Sequence, residues 1–259
     1  MLLKVSHNNN PHRGTQRTSL RCSALKDTAT SHLEGKILSA LQTAKGRGKE
    51  GISSTQLNII VKAVDELEAL GIPSDPVLVP ALEGRWKLLF TTRPGSASPI
   101  QRAFTGVDSF SVFQEIYLQG RQIPTTSSSS SFDPTPRVNN VVEFGSLGEL
   151  RVEAVASTDS NPVPGFVPRS GDGGFFGLYP FGKSISTPPS RANMRLDFQF
   201  DQAAFAFENL PFKIPYPVPF RILGDEAKGW IDVTYLSPSG QFRLSRGNKG
   251  TLFILQKEG

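Results

Sequence analysis

The chain has 259 residues, 28 basic against 23 acidic, and only 37% apolar residues, with 24 glycines and 20 prolines. Its one cysteine, Cys22, and its three histidines, His7, His12 and His32, all lie before residue 33, so the body has neither residue type. That excludes there a Ser-His-acid triad, Cys/His nucleophilic catalysis, zinc on thiolates and imidazoles, and disulfides; no run of 18 apolar residues exists to span a membrane as a helix.

Residues 1–26 contain no Asp or Glu but carry Lys4, Arg13, Arg17 and Arg21 among many hydroxyl and amide side chains. Basic, hydroxylated and acid-free is the composition of an organellar transit peptide, weighed here against a plain disordered tail. The junction Arg21–Ala24 is a candidate processing point, giving a leader of residues 1–23. Its loss leaves 24 basic against 23 acidic residues, a near-neutral chain with no nucleic-acid footprint.

A helical arm is expected over residues 24–76. In residues 31–45, Leu33, Ile37, Leu41 and Ala44 form one stripe. After the basic link at 45–51, Ser53 and Gln56 read as a capping box. Leu57, Ile60, Val61, Val64 and Leu67 recur at helical spacing, and Gly71 stands where a C-terminal cap belongs. Pro73 and Pro76 forbid continuation. These two helices pack on a sheet or present a docking face.

From residue 77 onward the texture is that of strands. Trp86, Leu88 and Phe90 fall on one side of the first, and Lys87 and Leu89 on the other. Alternating runs follow at 109–118, 137–145, 149–157, 193–201, around 205, 229–236, 242–246 and 251–257, with hairpin signals at Gly145–Gly148 and Gly247–Gly250. About nine short strands without a strand–helix–strand rhythm predict a mainly β fold, an antiparallel barrel or strongly curved sheet with two N-terminal helices.

Residues 124–136 are Ser- and Pro-rich and are expected as a surface loop. Residues 157–191 are rich in Gly and Pro yet carry Phe166, Phe175, Phe176, Leu178, Tyr179 and Phe181. That composition fits a lid over an apolar opening, a partner-binding loop, a cover for one barrel end, or a disordered stretch. Four prolines between Pro211 and Pro219 exclude a central strand there.

Among polar residues, Arg243, Arg246 and Lys249 cluster near the last turn as candidates for a carboxylate or diphosphate. Asp232 is expected to pair across strands with Arg243 or Arg246. No spacing pairs two carboxylates for hydrolysis.

The end of the chain, GWIDVTYL followed by FRLSRGNKGTLFILQK, resembles the signature end of the plastid-lipid-associated protein family, also called fibrillins, and LEGRWKLLFTT at 82–92 resembles its opening strand. The resemblance covers about residues 33–259 and implies a lipocalin-like barrel over 77–259. Gly84–Arg85–Trp86 is similar to the lipocalin G-x-W motif, and Arg246 would match the arginine lying over that tryptophan. The loops at 125–131 and 157–191 look longer than the family core requires.

The resemblance further implies a noncatalytic chloroplast protein without a cofactor, located in stroma or peripherally on thylakoid or plastoglobule. It would bind a hydrophobic isoprenoid or lipid, prenylquinone-like, through Arg243, Arg246, Lys249, Asp232, Trp86, Phe198 and Phe200. The alternative is a scaffold that stabilises a plastid isoprenoid-biosynthetic enzyme without carrying a ligand. A carboxylate-based enzyme is the third reading.

Overall fold

The computed structural model describes residues 12–92, 110–124, 130–170, 187–217, 220 and 223–259. The aromatics at 175–181 lie outside the described residues.

Two helices come first, α1 (His12–Leu41) and α2 (Ser54–Ala69). α1 is not short: it begins well before residue 31 and runs through the second half of the segment expected as a leader. α2 starts as its sequence requires. The Ser53 hydroxyl accepts from the Gln56 amide, and the Gln56 side chain accepts from the Ser53 amide. It ends at Gly71, whose φ of 59° is the left-handed cap conformation. Its buried stripe is Ile60, Ala63, Val64 and Leu67, whereas Val61 faces outward.

Eleven strands follow among the described residues: β1 (Gly84–Thr91), β2 (Ser111–Tyr117), β3 (Arg121–Pro124), β4 (Ser130–Asp133), β5 (Arg137–Glu143), β6 (Gly148–Ser157), β7 (Arg195–Phe207), β8 (Ile214–Pro215), β9 (Lys228–Leu236), β10 (Phe242–Gly247) and β11 (Leu252–Lys257). Nine form one antiparallel sheet in the order β6-β5-β2-β1-β11-β10-β9-β7-β8, and β6 also pairs with β7. That last pairing closes eight strands into an up-and-down barrel with β8 appended to β7, and closure removes the free edges. The expected mainly β, lipocalin-like antiparallel barrel with two N-terminal helices is the fold observed.

Three local readings change. The separate runs expected at 193–201 and around 205 are one continuous β7 with a bulge, because Glu153 opposes Gln202 while Ala154 opposes Phe200. Part of the Ser-rich stretch expected as loop forms β4, which pairs with β3 through Gln122 and Phe132. Trp86, Leu88 and Phe90 do not share a face: a register shift between Leu88 and Phe90 leaves the first two in the barrel and turns Phe90 to the helices.

The apolar residues form two cores. One lies outside the barrel, where Leu33, Ile37, Ile60, Val64 and Leu67 of the helices meet Phe90, Tyr235, Phe242, Leu244, Leu252 and Ile254. The other is the interior, with Trp86, Leu88, Ile116, Val138, Leu196, Ile231, Val233 and Leu255. Val77 and Leu82, from the turns at Pro76–Leu82, plug the end where β1 begins. The opposite end is the mouth. The Gly145–Leu147 turn and the ends of β1, β7 and β10 lie there.

Candidate ligand-binding site

Strand parity decides which side chains face inward. Phe242 and Leu244 of β10 pack on the helices, so Arg243 and Ser245 point into the barrel. Arg246, three residues beyond Arg243, is on the opposite face. The arginine over Trp86 is therefore Arg243, with its guanidinium carbon 4.8 Å from the ring centroid. The assignment of that role to Arg246 fails. Arg246 reaches outward to α2, where its Nε and Nη2 each donate to the Glu68 carboxylate at 2.9 Å.

Trp86 is fully buried and donates its indole N–H to the Leu82 carbonyl at 2.8 Å, which ties the barrel to its plug. Lys257 approaches the same ring, 5.3 Å from its centroid, and donates to the Ala81 carbonyl. Arg243 is 0% exposed. Its Nη2 donates to Gln114 Oε1 at 2.7 Å, and Gln114 in turn donates to Asn140 Oδ1 at 3.4 Å. Nε and Nη1 of Arg243 and the Ser245 hydroxyl have no partner among the described residues. Burial pushes the Arg243 guanidinium down to about 9.

Asp232 pairs with neither Arg243 nor Arg246, although it opposes Arg246 in the ladder. Its carboxylate takes both Nε and Nη2 of Arg195 on the neighbouring β7, at 2.7 and 2.8 Å. Arg195 also stacks on Trp230 at 3.7 Å, which fixes this pair to the outer wall. Lys249 lies in the turn between β10 and β11 at the mouth. Arg243, Arg246, Lys249 and Asp232 thus do not converge into one anion clamp.

Phe198 and Phe200 do come together, with centroids 5.2 Å apart and both rings half-buried. Phe198 packs on the interior core, and its ring lies so close over Gly229 that an added Cβ there would sit 2.6 Å from it. Phe200 continues to Phe220 at 5.9 Å. Phe205 stacks on Phe207 at 6.0 Å and meets Tyr216 at 5.9 Å. The proline-rich segment thus brings Tyr216 and Phe220 against β7. Arg169 anchors the described part of the 157–191 loop nearby, donating to the carbonyls of Asp225 and Lys228 and to Glu226.

Sequence reading missed Gln114, Asn140 and Ser245. The available signal was a polar residue interrupting an apolar alternation, Gln114 between Val112 and Ile116 and Asn140 between Val138 and Val142. Outside the barrel several carboxylates are engaged. Glu115 takes Arg85 and Arg151, and Glu149 takes Arg151. An exterior groove of about 460 Å³ over β6 and β7 is lined by Glu149, Arg151, Glu153 and Asp201 together with Lys213, Tyr216 and Phe220. No cluster of three or more His, Cys, Asp or Glu suited to a metal occurs among the described residues.

Fold and interior together define a lipocalin-like barrel with an arginine over a tryptophan at its plugged end and an aromatic mouth. The PAP_fibrillin family model matches residues 31–163 and 186–256, and the chain belongs to that family. The match passes over 164–185, within the loop expected to exceed the family core.

The chain is 49% identical over 226 residues to the probable plastid-lipid-associated protein 12, chloroplastic, of Arabidopsis thaliana, covering 87% of this chain and 44% of that protein. It is 24% identical over 231 residues to plastid lipid-associated protein 2, chloroplastic, of Brassica campestris, covering 82% of this chain and 65% of that protein. It is 26% identical over 210 residues to the chromoplast-specific carotenoid-associated protein, chromoplastic, of Cucumis sativus, covering 77% of this chain and 60% of that protein. The chain thus spans less than two thirds of the length of these relatives. No solved structure matches it.

Proposed function

We propose that this chain is a noncatalytic plastid protein that holds a hydrophobic isoprenoid or lipid in the mouth of its barrel and supports prenylquinone or related lipid metabolism. The observation that carries the reading is the row of half-exposed aromatics, Phe198, Phe200 and Phe205, above a largely apolar interior. Binding sites for such ligands are mostly apolar with few polar groups. Trp86 is the base of this interior, and Arg243 is the one of the candidate cations that faces it. The names of the relatives, chloroplastic and lipid- or carotenoid-associated, support the compartment and the ligand class.

Position in the stroma or peripherally on thylakoid or plastoglobule follows from the same reading. Leu147 is 65% and Phe212 62% exposed, with Leu210 and Ile214 beside them at the mouth. The Glu208 amide donates to the Leu147 carbonyl, which holds these two loops together. Such an apolar rim suits a lipid surface. The leader of residues 1–23 would be removed on import, and N-terminal sequencing of the plastid form should begin at or near Ala24.

A second reading, a scaffold for a plastid isoprenoid-biosynthetic enzyme, is favoured by the exposed Ile59, Val61 and Leu70 on and just after α2. Gentle purification from plastid extract, followed by identification of co-eluting lipids and proteins, separates the two. A stoichiometric prenyl lipid supports carriage. A lipid-free chain with a constant enzyme partner overturns it in favour of the scaffold.

A further inference from the structure

Most of the described arginines meet either a carboxylate or a set of backbone carbonyls. Arg137, Arg151, Arg195 and Arg246 each meet a carboxylate. Arg169 meets Glu226 and two carbonyls, and Arg191 meets the carbonyls of Gly71, Pro73 and Thr234. Arg243 has neither arrangement. It is 0% exposed, inside the barrel, and bonded to one neutral amide, Gln114. Lys257, offset in part by Glu83, adds a second positive charge beside the same tryptophan.

Two further groups sharpen the contrast. Nε and Nη1 of Arg243 and the Ser245 hydroxyl, two residues along the same inward face, are buried without partners among the described residues. A buried cation without a counter-charge is costly, as is each buried donor left unmade. Ordered water would satisfy the donors but not neutralise the charge. An anionic oxygen does both.

We propose that the barrel interior is a site for the carboxylate head of a long-chain acid, with Arg243 as counter-charge and Gln114 and Ser245 beside it. This rests on the carriage reading above and narrows its ligand class. A carboxylate is small enough for one guanidinium, whereas a diphosphate would need the several cations that this fold sends to different places. By register the next inward side chains toward the mouth are Ser245 and Phe253, and Phe198 packs on the same core. The acid therefore enters head first, with its tail among Phe198, Phe200 and the mouth aromatics. Fatty and prenyl acids share the head group and differ only in the tail.

The test is calorimetric titration of the full chain with oleic acid, farnesoic acid, methyl oleate and a decyl-substituted benzoquinone. The expected result is that an acid binds at least about tenfold more tightly than methyl oleate and the quinone, the scale of a charge-assisted hydrogen bond. The better of the two acids then identifies the tail. Arg243→Gln should bring the acid-to-ester affinity ratio close to one. Ester or quinone binding as tight as that of either acid overturns the carboxylate site and leaves lipid carriage standing. Binding of none of the four overturns both. The comparison on the unmodified chain decides the question even where Arg243→Gln does not fold.

Discussion

Arg243→Met combined with Gln114→Leu should stabilise the ligand-free protein. The pair removes a hydrogen bond at 2.7 Å, a cation held 4.8 Å from Trp86, and the 3.4 Å bond from Gln114 to the half-buried Asn140 Oδ1. Those losses are worth about 1 to 3 kcal/mol together. Against them stands the cost of holding an uncompensated cation at 0% exposure, several kcal/mol per buried ion. The expected net effect is a gain of about 1 to 3 kcal/mol, the range found when buried charges are replaced by packed apolar groups. In a domain of this size that is a rise in Tm of several degrees. Arg246→Met should do the opposite. It breaks a two-pronged, half-exposed link to Glu68 that holds α2 to the barrel, at a cost of about 1 kcal/mol. Urea unfolding of the lipid-stripped full chain measures both. A loss of more than about 2 kcal/mol in the double variant would refute the claim that Arg243 is held for a ligand rather than for stability.

Trp86→Ala should cost about 3 to 5 kcal/mol, since the ring is fully buried and bonded to Leu82; a loss under about 1 kcal/mol by the same unfolding assay contradicts its place at the base of the core. Ser53→Ala removes one half of the capping box and should lower stability by about 1 kcal/mol, with Ser53→Gly costing less; thermal unfolding of both variants checks the order. Asp197 gives a pH-dependent case. Burial first, then Asp159 and Asp232, push its carboxyl up to about 6 against the opposing pull of Arg195. The folded chain then binds the proton more tightly than the unfolded one between about pH 4 and 6, so the stability from this group is present below that window and lost as pH rises through it. Asp197→Asn should therefore stabilise the protein at pH 7.5 and change little at pH 4, and an equal effect at both values sinks the assignment.

How far the sequence could be read depended on whether a feature was local. The capping box at Ser53 and Gln56 was legible because its partners are three residues apart and their geometry is that of a single helical turn. Strand existence was legible from alternation, as at Leu150, Val152, Ala154 and Ala156. The bulges were not, because an extra residue such as Asp201 in β7 is defined only by what it opposes on β6. The arginine assignment failed for a related reason. Parity alone sends Arg243 and Arg246 to opposite faces, but which face is inside is not a property of β10. Polarity argues for Phe242 and Leu244 inward. The helices reverse this by covering the outer wall, so those apolar side chains are buried outside the barrel and the polar Arg243 and Ser245 are left within.

The sequence by itself determined the class of this protein: the absence of Cys and His from the body, a run of antiparallel strands after two helices, and terminal motifs sufficient to identify the family. These are properties of composition, period and short-range order. Only the tertiary structure decided which side chains meet. Closure through β6 and β7 created an inside, the helices chose which strand faces became core, and Asp232 found Arg195 rather than a residue of the basic turn. Each choice depends on strands far apart in the chain, where a one-residue shift of register exchanges the faces.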